Sequence, residues 1–280
     1  MNFPRIPVGD TIESGIDFLV EHCSFATKAF SAVLETGLDI IETAMKACPP
    51  WLLIGLIGLL TWRLARSRRT GIFAVAGLLL IWNMGLWKAT VSTIALVIVS
   101  TMLALMIGIP IGIMAAMNRY VHKTVMPVLD VMQTMPAFVY LIPAIPFFGL
   151  GKVAAIFSTI IFAMPPAIRL TCLGIKQVPP ELVECAEAFG STRWQRLVKL
   201  ELPIATPTIM AGVNQTVMLS LSMVVIAAMI GAKGLGGEVW KAIQRLQMGK
   251  GFEAGIGIVI VAMIMDRVLQ KIGSGKTDRG

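Results

Sequence analysis

The chain has 280 residues, 56% of them hydrophobic and only 14% charged, and it carries a formal net charge of +8. Windows of about 20 mostly apolar residues recur along it, which argues against a soluble core and marks an all-α polytopic membrane bundle, because lipid leaves few other ways to satisfy the backbone. The basic excess points to no nucleic acid partner: Lys and Arg lie in short gaps between apolar runs, and no basic run is interleaved with aromatics for stacking.

Residues 1–50 form the first segment, with Arg5, Lys28 and Lys46 against the acidic Asp10, Glu13, Asp17, Glu21, Glu35, Asp39 and Glu42. It lacks the cationic start and apolar core of a secretory signal. Ile12, Ile16, Leu19 and Val20 recur at i, i+4, i+7 and i+8, the stripe of an amphipathic helix. A helix in the extracytoplasmic interface and a helix packed on the bundle fit that stripe equally well.

About seven spans follow, near 51–66, 71–88, 90–117, 124–147, 152–170, 204–230 and 254–270. The first two make a leading pair over 51–88, the others a main bundle over 89–270, and 271–280 reads as a disordered tail. Arg63, Arg66, Arg68 and Arg69 follow the first span, Arg119 and Lys123 the third, and Arg169, Lys176, Arg193, Arg196 and Lys199 the fifth. These are alternate gaps, hence one side, which the positive-inside bias assigns to the cytoplasm. The N-terminus is then expected outside and the C-terminus in the cytoplasm. Trp51, Trp62, Trp82 and Trp87, near span ends, read as interfacial anchors.

Little in the chain suits catalysis. "PFFGLGK" at 146–152 lacks the first glycine of a phosphate loop, and neither His22 nor His122 sits in a nucleophile motif. Cys23, Cys48, Cys172 and Cys185 show no CxxC spacing and read as small packing residues, with no metal site. "GLGGEV" at 234–239 has Val239 where a dinucleotide loop ends in glycine, and reads as a turn. Asp130, about two turns into the fourth span, is the candidate intramembrane polar residue, either functional or a structural acceptor. Pro136, Pro143 and Pro146 in the fourth span and Pro165 with Pro166 in the fifth leave carbonyls that must face protein or a cavity. Met132, Met135, Pro136, Met164, Pro165, Met218 and Met223 are therefore candidate pore or gate residues, with bundle packing as the other reading. Gly108 and Gly112 make a GxxxG around Pro110 that predicts a close helix contact.

Against this background "ELVECAEAFGSTRWQRLVKLELP" at 181–203 alternates acids and bases. Pro179 and Pro180 suit a helix start, Glu181 and Glu184 its positive end, and Gly190 a left-handed close, predicting a helix over 180–189. Leu182, Ala186 and Phe189 share one face and Glu181, Glu184 and Glu187 another. Thr192 with Gln195 resembles a capping box that opens a second helix running to Leu202, before Pro203. A solvated connector and a partner-binding unit both fit this pattern.

The spacing Glu184-x-Ala186-x-x-x-Gly190, nine residues, then Leu200-x-Leu202-Pro203 resembles the EAA loop of binding-protein-dependent ABC importer permeases, with Cys185 for the second alanine and Leu200 for isoleucine. "PVLDVMQTMPAFVYLIPAIPFFGLG" at 127–151, "FAMPPAIRLTCLGIKQVPPELVE" at 162–184 and "SMVVIAAMIGAKGLGGEV" at 222–239 look like the glycine betaine and proline betaine class. The likeness is dense over about residues 85–270, and the acidic N-terminal segment with two leading spans fits that class better than the shorter choline and carnitine permeases. The resemblance implies a type I ABC importer permease fold in a bacterial cytoplasmic (inner) membrane, with 89–270 as permease core and 171–203 as its cytoplasmic loop. It implies a second copy of the chain, two ATP-binding cassette subunits that hold ATP and Mg, and an extracellular binding protein that delivers glycine betaine or a related solute. The chain itself would be neither enzyme nor cofactor binder. Glu184, Cys185, Ala186, Gly190, Leu200, Leu202 and Pro203 would couple it to the ATPase, with Gly190 as pivot. A permease for choline or carnitine and a membrane scaffold are the rival expectations. No aromatic cage for a quaternary ammonium is evident, so selection is expected to rest with the binding protein.

Overall fold

The computed structural model describes residues 8–65 and 67–274, and among them every regular element is helical. Of the disordered tail expected at 271–280, residues 271–274 are instead helical, and the rest lies outside the described residues.

Helix α1 (Val8–Ala47) ends where Pro49 and Pro50 stop it, and its stretch from Thr27 meets α2 (Pro50–Ala65) at 105°. It therefore runs across one end of the bundle rather than along it. Leu34 and Leu38 in its second half are buried in the core, whereas Phe18 and Leu19 in its first half are exposed. The described part of the sequence-predicted stripe, Ile16, Leu19 and Val20, is thus not what binds α1 to the bundle. α2 and α3 (Arg68–Asn83) form a hairpin of two 16-residue helices, each shorter than the about 20 residues of a perpendicular span. A Cβ on Gly71 would come 2.8 Å from Trp62 Cβ, so close approach holds the pair together. Trp51, Trp62 and Trp82 remain exposed, as interfacial anchors should, but Trp87 is buried in the core and is corrected from anchor to packing residue.

Three stretches are long and apolar enough to cross a membrane: α4 (Trp87–Met117), α7 (Lys152–Lys176) and the continuous run Arg193–Ile230; counting each bent helix pair as one span gives up to five. The single helix expected over 124–147 is instead two, α5 (Arg119–Thr134) and, after a 3-10 turn at Ala137–Tyr140, α6 (Leu141–Phe148), bent by 112°. Pro136 causes the break: it has no N–H to donate, and it holds Met135 in extended backbone at φ −73 and ψ 134.

α7 is the centre, with 67% of its most apolar stretch buried against 39% in α4. α4 and the later part of the Arg193–Ile230 run both pack along it and also touch each other. Gly112 is the tightest point of the α4 contact: a Cβ there would sit 2.7 Å from Ile168 O and 2.7 Å from Thr171 Cβ. The GxxxG thus serves packing within the chain. Hydroxyls buried in the bundle bond back to their own helices, as in Ser100 Oγ to Leu96 O at 2.7 Å and Thr159 Oγ1 to Ala155 O at 2.6 Å. Small polar residues so satisfied let backbones approach in lipid, although the buried Thr101 Oγ1 of α4 has no partner.

Beyond α7 come α8 (Pro180–Ala188), α9 (Arg193–Arg196), a π turn at Leu197–Glu201 and α10 (Leu202–Ala227). The helix expected to end before Pro203 runs on through it, because the π turn directly upstream accommodates the bond that proline cannot make. "GLGGEV" is likewise corrected: Gly234 caps α11 (Leu235–Gln244), so its glycines open a helix, and Gly236 packs where a Cβ would lie 2.7 Å from Val225 Cα. α12 (Met248–Ser274) closes the bundle against α3, α10 and α11. Asp266 of α12 is half-buried and accepts from Asn214 Nδ2 of α10 at 2.9 Å.

Contacts fix the helix directions. Gly108 on Met164 with Gly112 on Thr171 makes α4 and α7 parallel, Gly174 on Thr208 with Gly212 on Pro166 makes α10 antiparallel to α7, and Gly77 on Ile260 with Gly257 on Ile81 makes α12 antiparallel to α3. The α2–α3, α4–α5 and α7–α8 turns therefore share the end of the bundle that carries α8. Arg63, Arg68, Arg69, Arg119, Lys123, Lys176 and Arg193 gather there, as their alternate gaps predict.

Candidate functional site at the α8 end

α8 starts at Pro180 behind an extended Pro179 and ends on Phe189, after which Gly190 takes φ +75. Gly190 N–H donates to Glu187 O at 2.9 Å and Ser191 N–H to Ala186 O at 3.1 Å, the paired bonds of a Schellman close. Ser191 Oγ adds a bond to the same Ala186 carbonyl at 2.5 Å. The next helix opens with the expected capping box: Gln195 N–H donates to Thr192 Oγ1 at 3.3 Å and Thr192 N–H to Gln195 Oε1 at 2.9 Å. The joint between the two helices thus has its backbone groups satisfied within four residues.

No residue of α8 is buried. Leu182 and Phe189, the apolar face, are 43% and 88% exposed, and Trp194 beside them is 68% exposed. Glu184 and Cys185 are exposed and Ala186 half-buried, so Cys185 is not the packing residue its composition suggested. On the other arm Leu200 and Leu202 are half-buried and Pro203 exposed, while Leu197, at 1% exposure, anchors the arm against Ile175 and Ala205.

A clamp that the sequence reading did not single out ties the arms together. Arg196 donates through Nε to Glu201 at 2.7 Å and through Nη1 to Glu187. Glu201 is buried, so the charge-assisted bond from Arg196 is what makes a carboxylate tolerable there. The only sequence trace is an arginine nine residues after one Glu and five before another, a spacing that helical periodicity does not flag because it spans the glycine turn.

The other candidates disperse. Asp130 is exposed and accepts from Arg169 Nη2 at 2.6 Å, tying α5 to α7, while Arg169 Nε is buried without a partner. Met135 and Met223 join the small cluster around Tyr140, Met223 being wholly buried there, whereas Met164 and Met218 pack on the main core. Met132 is half-buried and its carbonyl accepts from Tyr140 Oη; Pro136 is exposed and Pro165 buried within α7. The five methionines do not meet at one constriction within the chain.

At the opposite end, Lys152 at the start of α7 donates to Asp39 and Glu42 of α1, at 2.7 Å each, and Ser92 Oγ of α4 donates to Glu42 at 2.6 Å. Lys46 completes the set around Glu42. Burial alone would raise the Glu42 carboxyl, but the bonds from Lys152, Lys46 and Ser92 outweigh it and lower the pKa from 4.5 to about 2.

Residues 108–272 match the family described as binding-protein-dependent transport system inner membrane component. The chain is 48% identical over 277 residues to the glycine betaine transport system permease protein OpuAB of Bacillus subtilis (strain 168), covering 99% of this chain and 98% of that one. It is 49% identical to the glycine betaine/carnitine transport permease protein GbuB of Listeria monocytogenes serotype 1/2a (strain 10403S), over 96% of each. Against the glycine betaine/proline betaine transport system permease protein ProW of Escherichia coli (strain K12) the identity is 42%, over 98% of this chain and 77% of the relative. Among solved structures, a chain of the MetNI methionine ABC transporter in an inward-facing conformation superposes with a TM-score of 0.60 at 23% identity, over 66% of this chain and 93% of that one, which establishes the type I importer permease fold. The α8 joint, α7 and the crossing run 193–230 all lie within the family match at residues 108–272, which α4 enters at Gly108. The chain is a transporter membrane subunit rather than an enzyme, and it belongs to the family of binding-protein-dependent transport system inner membrane components.

Proposed function

We propose that this chain is the membrane subunit of an ATP-driven importer of glycine betaine and related compatible solutes, with α8 the helix through which a partner ATPase acts. The observation that carries the reading is α8 itself: a short helix with an uncovered apolar face, rigidly jointed to a 38-residue helical run that reaches the far end of the bundle. A connector would have no use for exposed Leu182 and Phe189. The transport systems named for the relatives at 42–49% identity support the solute class.

In this reading two copies of the chain enclose the path, and each α8 sits in a groove of one ATP-binding cassette subunit on the cytoplasmic side. ATP and Mg belong to those subunits. When they close, α8 moves, and the Schellman close, the capping box and the Arg196 clamp pass the displacement to α10 as a rigid body, since packed helices rock rather than deform. Glu184, Cys185 and Ala186 form the contact, Gly190 the pivot, and Leu200, Leu202 and Pro203 the receiving arm. An extracytoplasmic binding protein delivers the solute at the opposite end. Pro136, Met132 and Met135 at the α5–α6 break are the proposed path-side group, Pro165, Met164, Met218 and Met223 support them from within the bundle, and Asp130 with Arg169 fastens α5 to α7.

The test is uptake of labelled glycine betaine by proteoliposomes holding the chain, its ATPase and its binding protein. ATP-dependent accumulation is expected, and its absence sinks the solute assignment. Gly190→Pro forces φ near −65° where the joint needs +75. The variant should assemble and hydrolyse ATP without driving uptake; normal uptake would refute the pivot.

A further inference from the structure

At the end of the bundle opposite α8, a cavity of 440 Å³ opens between the end of α1, the start of α4 and the turn leading into α11. Four lysines line it, Lys46, Lys88, Lys233 and Lys241, against one carboxylate, Glu238, with Trp240 beside them. Lys241 is paired with Glu238 at 2.9 Å and Lys46 with Glu42, and Glu42 and Asp39 are already engaged by Lys152. Among the described residues Lys88 and Lys233 have no acidic partner, so the cavity carries two uncompensated positive charges.

The segment that presents Lys233 is built to stay in place. Ala232 and Leu235 on either side of it are buried, and Leu235 N–H donates to the buried Thr93 Oγ1 at 2.8 Å. Gly234 follows with φ +141, a backbone that disfavours any side chain, and a Cβ there would meet Thr93 Oγ1 at 2.5 Å. Two buried anchors and a glycine kink thus hold an exposed lysine on a pinned turn, where no carboxylate among the described residues pairs with its charge. A pinned charge next to a half-buried tryptophan is the composition of a binding hot spot with little ordering to lose. Lysines on the translocated side of a membrane protein also run against the positive-inside bias, which favours a purpose over a solvated face.

We infer that Lys88 and Lys233, with Trp240 of α11 lining the same cavity, form the electrostatic socket into which the extracytoplasmic binding protein inserts carboxylates of its docking face. The inference rests on the orientation and partner set of the proposed function and deepens them. Charge complementarity selects this occupant: uncompensated ammonium groups attract acidic side chains, and steering of that kind acts mainly on the association rate.

The test uses the complete permease–ATPase complex in nanodiscs, with its cognate binding protein as analyte, at low and high salt. Lys88→Glu with Lys233→Glu should slow association about tenfold or more at low salt and flatten its salt dependence. Lys88→Arg with Lys233→Arg should restore both, which separates charge from folding. Equal association rates and salt slopes in the parent and the Glu variant overturn the inference. Unchanged association with lost uptake also overturns it, since the lysines would then serve solute passage. If the parent imports no glycine betaine while binding-protein association still depends on the two lysines, the solute assignment fails and the socket stands.

Discussion

Arg196 is the residue that ties the two arms of the α8 joint together. It is bonded to Glu187 on one arm and to buried Glu201 on the other, and Arg196→Ala strands a carboxylate inside protein. A loss of about 1–3 kcal/mol is expected, the usual cost of an orphaned buried acceptor. The ratio of solute imported to ATP hydrolysed should fall more than ATP hydrolysis itself; an unchanged ratio would remove Arg196 from the coupling path. Glu42 makes the corresponding bond at the other end. Its carboxyl is depressed from 4.5 to about 2, so the protons it binds on unfolding oppose the folded state only in acid. Its stabilisation is complete above pH 4.5 and fades as pH falls toward 2. Thermal melts of the parent and of Glu42→Gln should therefore differ near neutrality and converge across that window. Glu184, Ala186 and Gly190 were legible as a spaced pattern because backbone capping is local. Arg196 and Glu42 were not, because their partners are chosen by how separate elements lie together.

Helix packing depends on one close approach above others. A side chain on Gly112 of α4 would push into Ile168 O and Thr171 of α7, which are parts of the central helix and have little room to give. Gly112→Leu is expected to cost about 1–3 kcal/mol by overpacking and to lower the melting temperature of the complex in detergent, whereas a melting point equal to the parent's would mean that α4 and α7 can separate at no cost. The GxxxG signalled such a contact without saying which helix would fill it. Proline shows the same division. Pro136 announced trouble in the fourth span, but only the packing of α6 beside α7 and of Tyr140 against Phe162 turned it into a 112° bend. Pro203 carried the same local message and was overruled by a π turn, because Leu197 and Ala205 are both buried and hold the run continuous.

The molecule as a whole carries a polar cluster at each end, Arg196 with Glu187 and Glu201 at the α8 end and Glu42 with Lys46 and Lys152 at the other. Cys185 is exposed on α8 and offers a direct check of which end faces the cytoplasm. In a chain whose other cysteines are replaced by alanine, expressed without its ATPase so that α8 is uncovered, a membrane-impermeant maleimide should label Cys185 in inside-out vesicles and leave it unlabelled in right-side-out vesicles. The opposite pattern would invert the proposed orientation. Composition and hydropathy by themselves determined the membrane-helical class, the alternation of basic gaps and the capped pair around Gly190, since each depends on solvation or on bonds within a few residues. The tertiary structure alone decided that Trp87 and Met223 are core, that α1 lies across the bundle, that Arg196 joins two arms and that Lys88 and Lys233 share a cavity. Those facts rest on contacts between residues far apart in the chain, and helical periodicity records which face is apolar but not what will cover it.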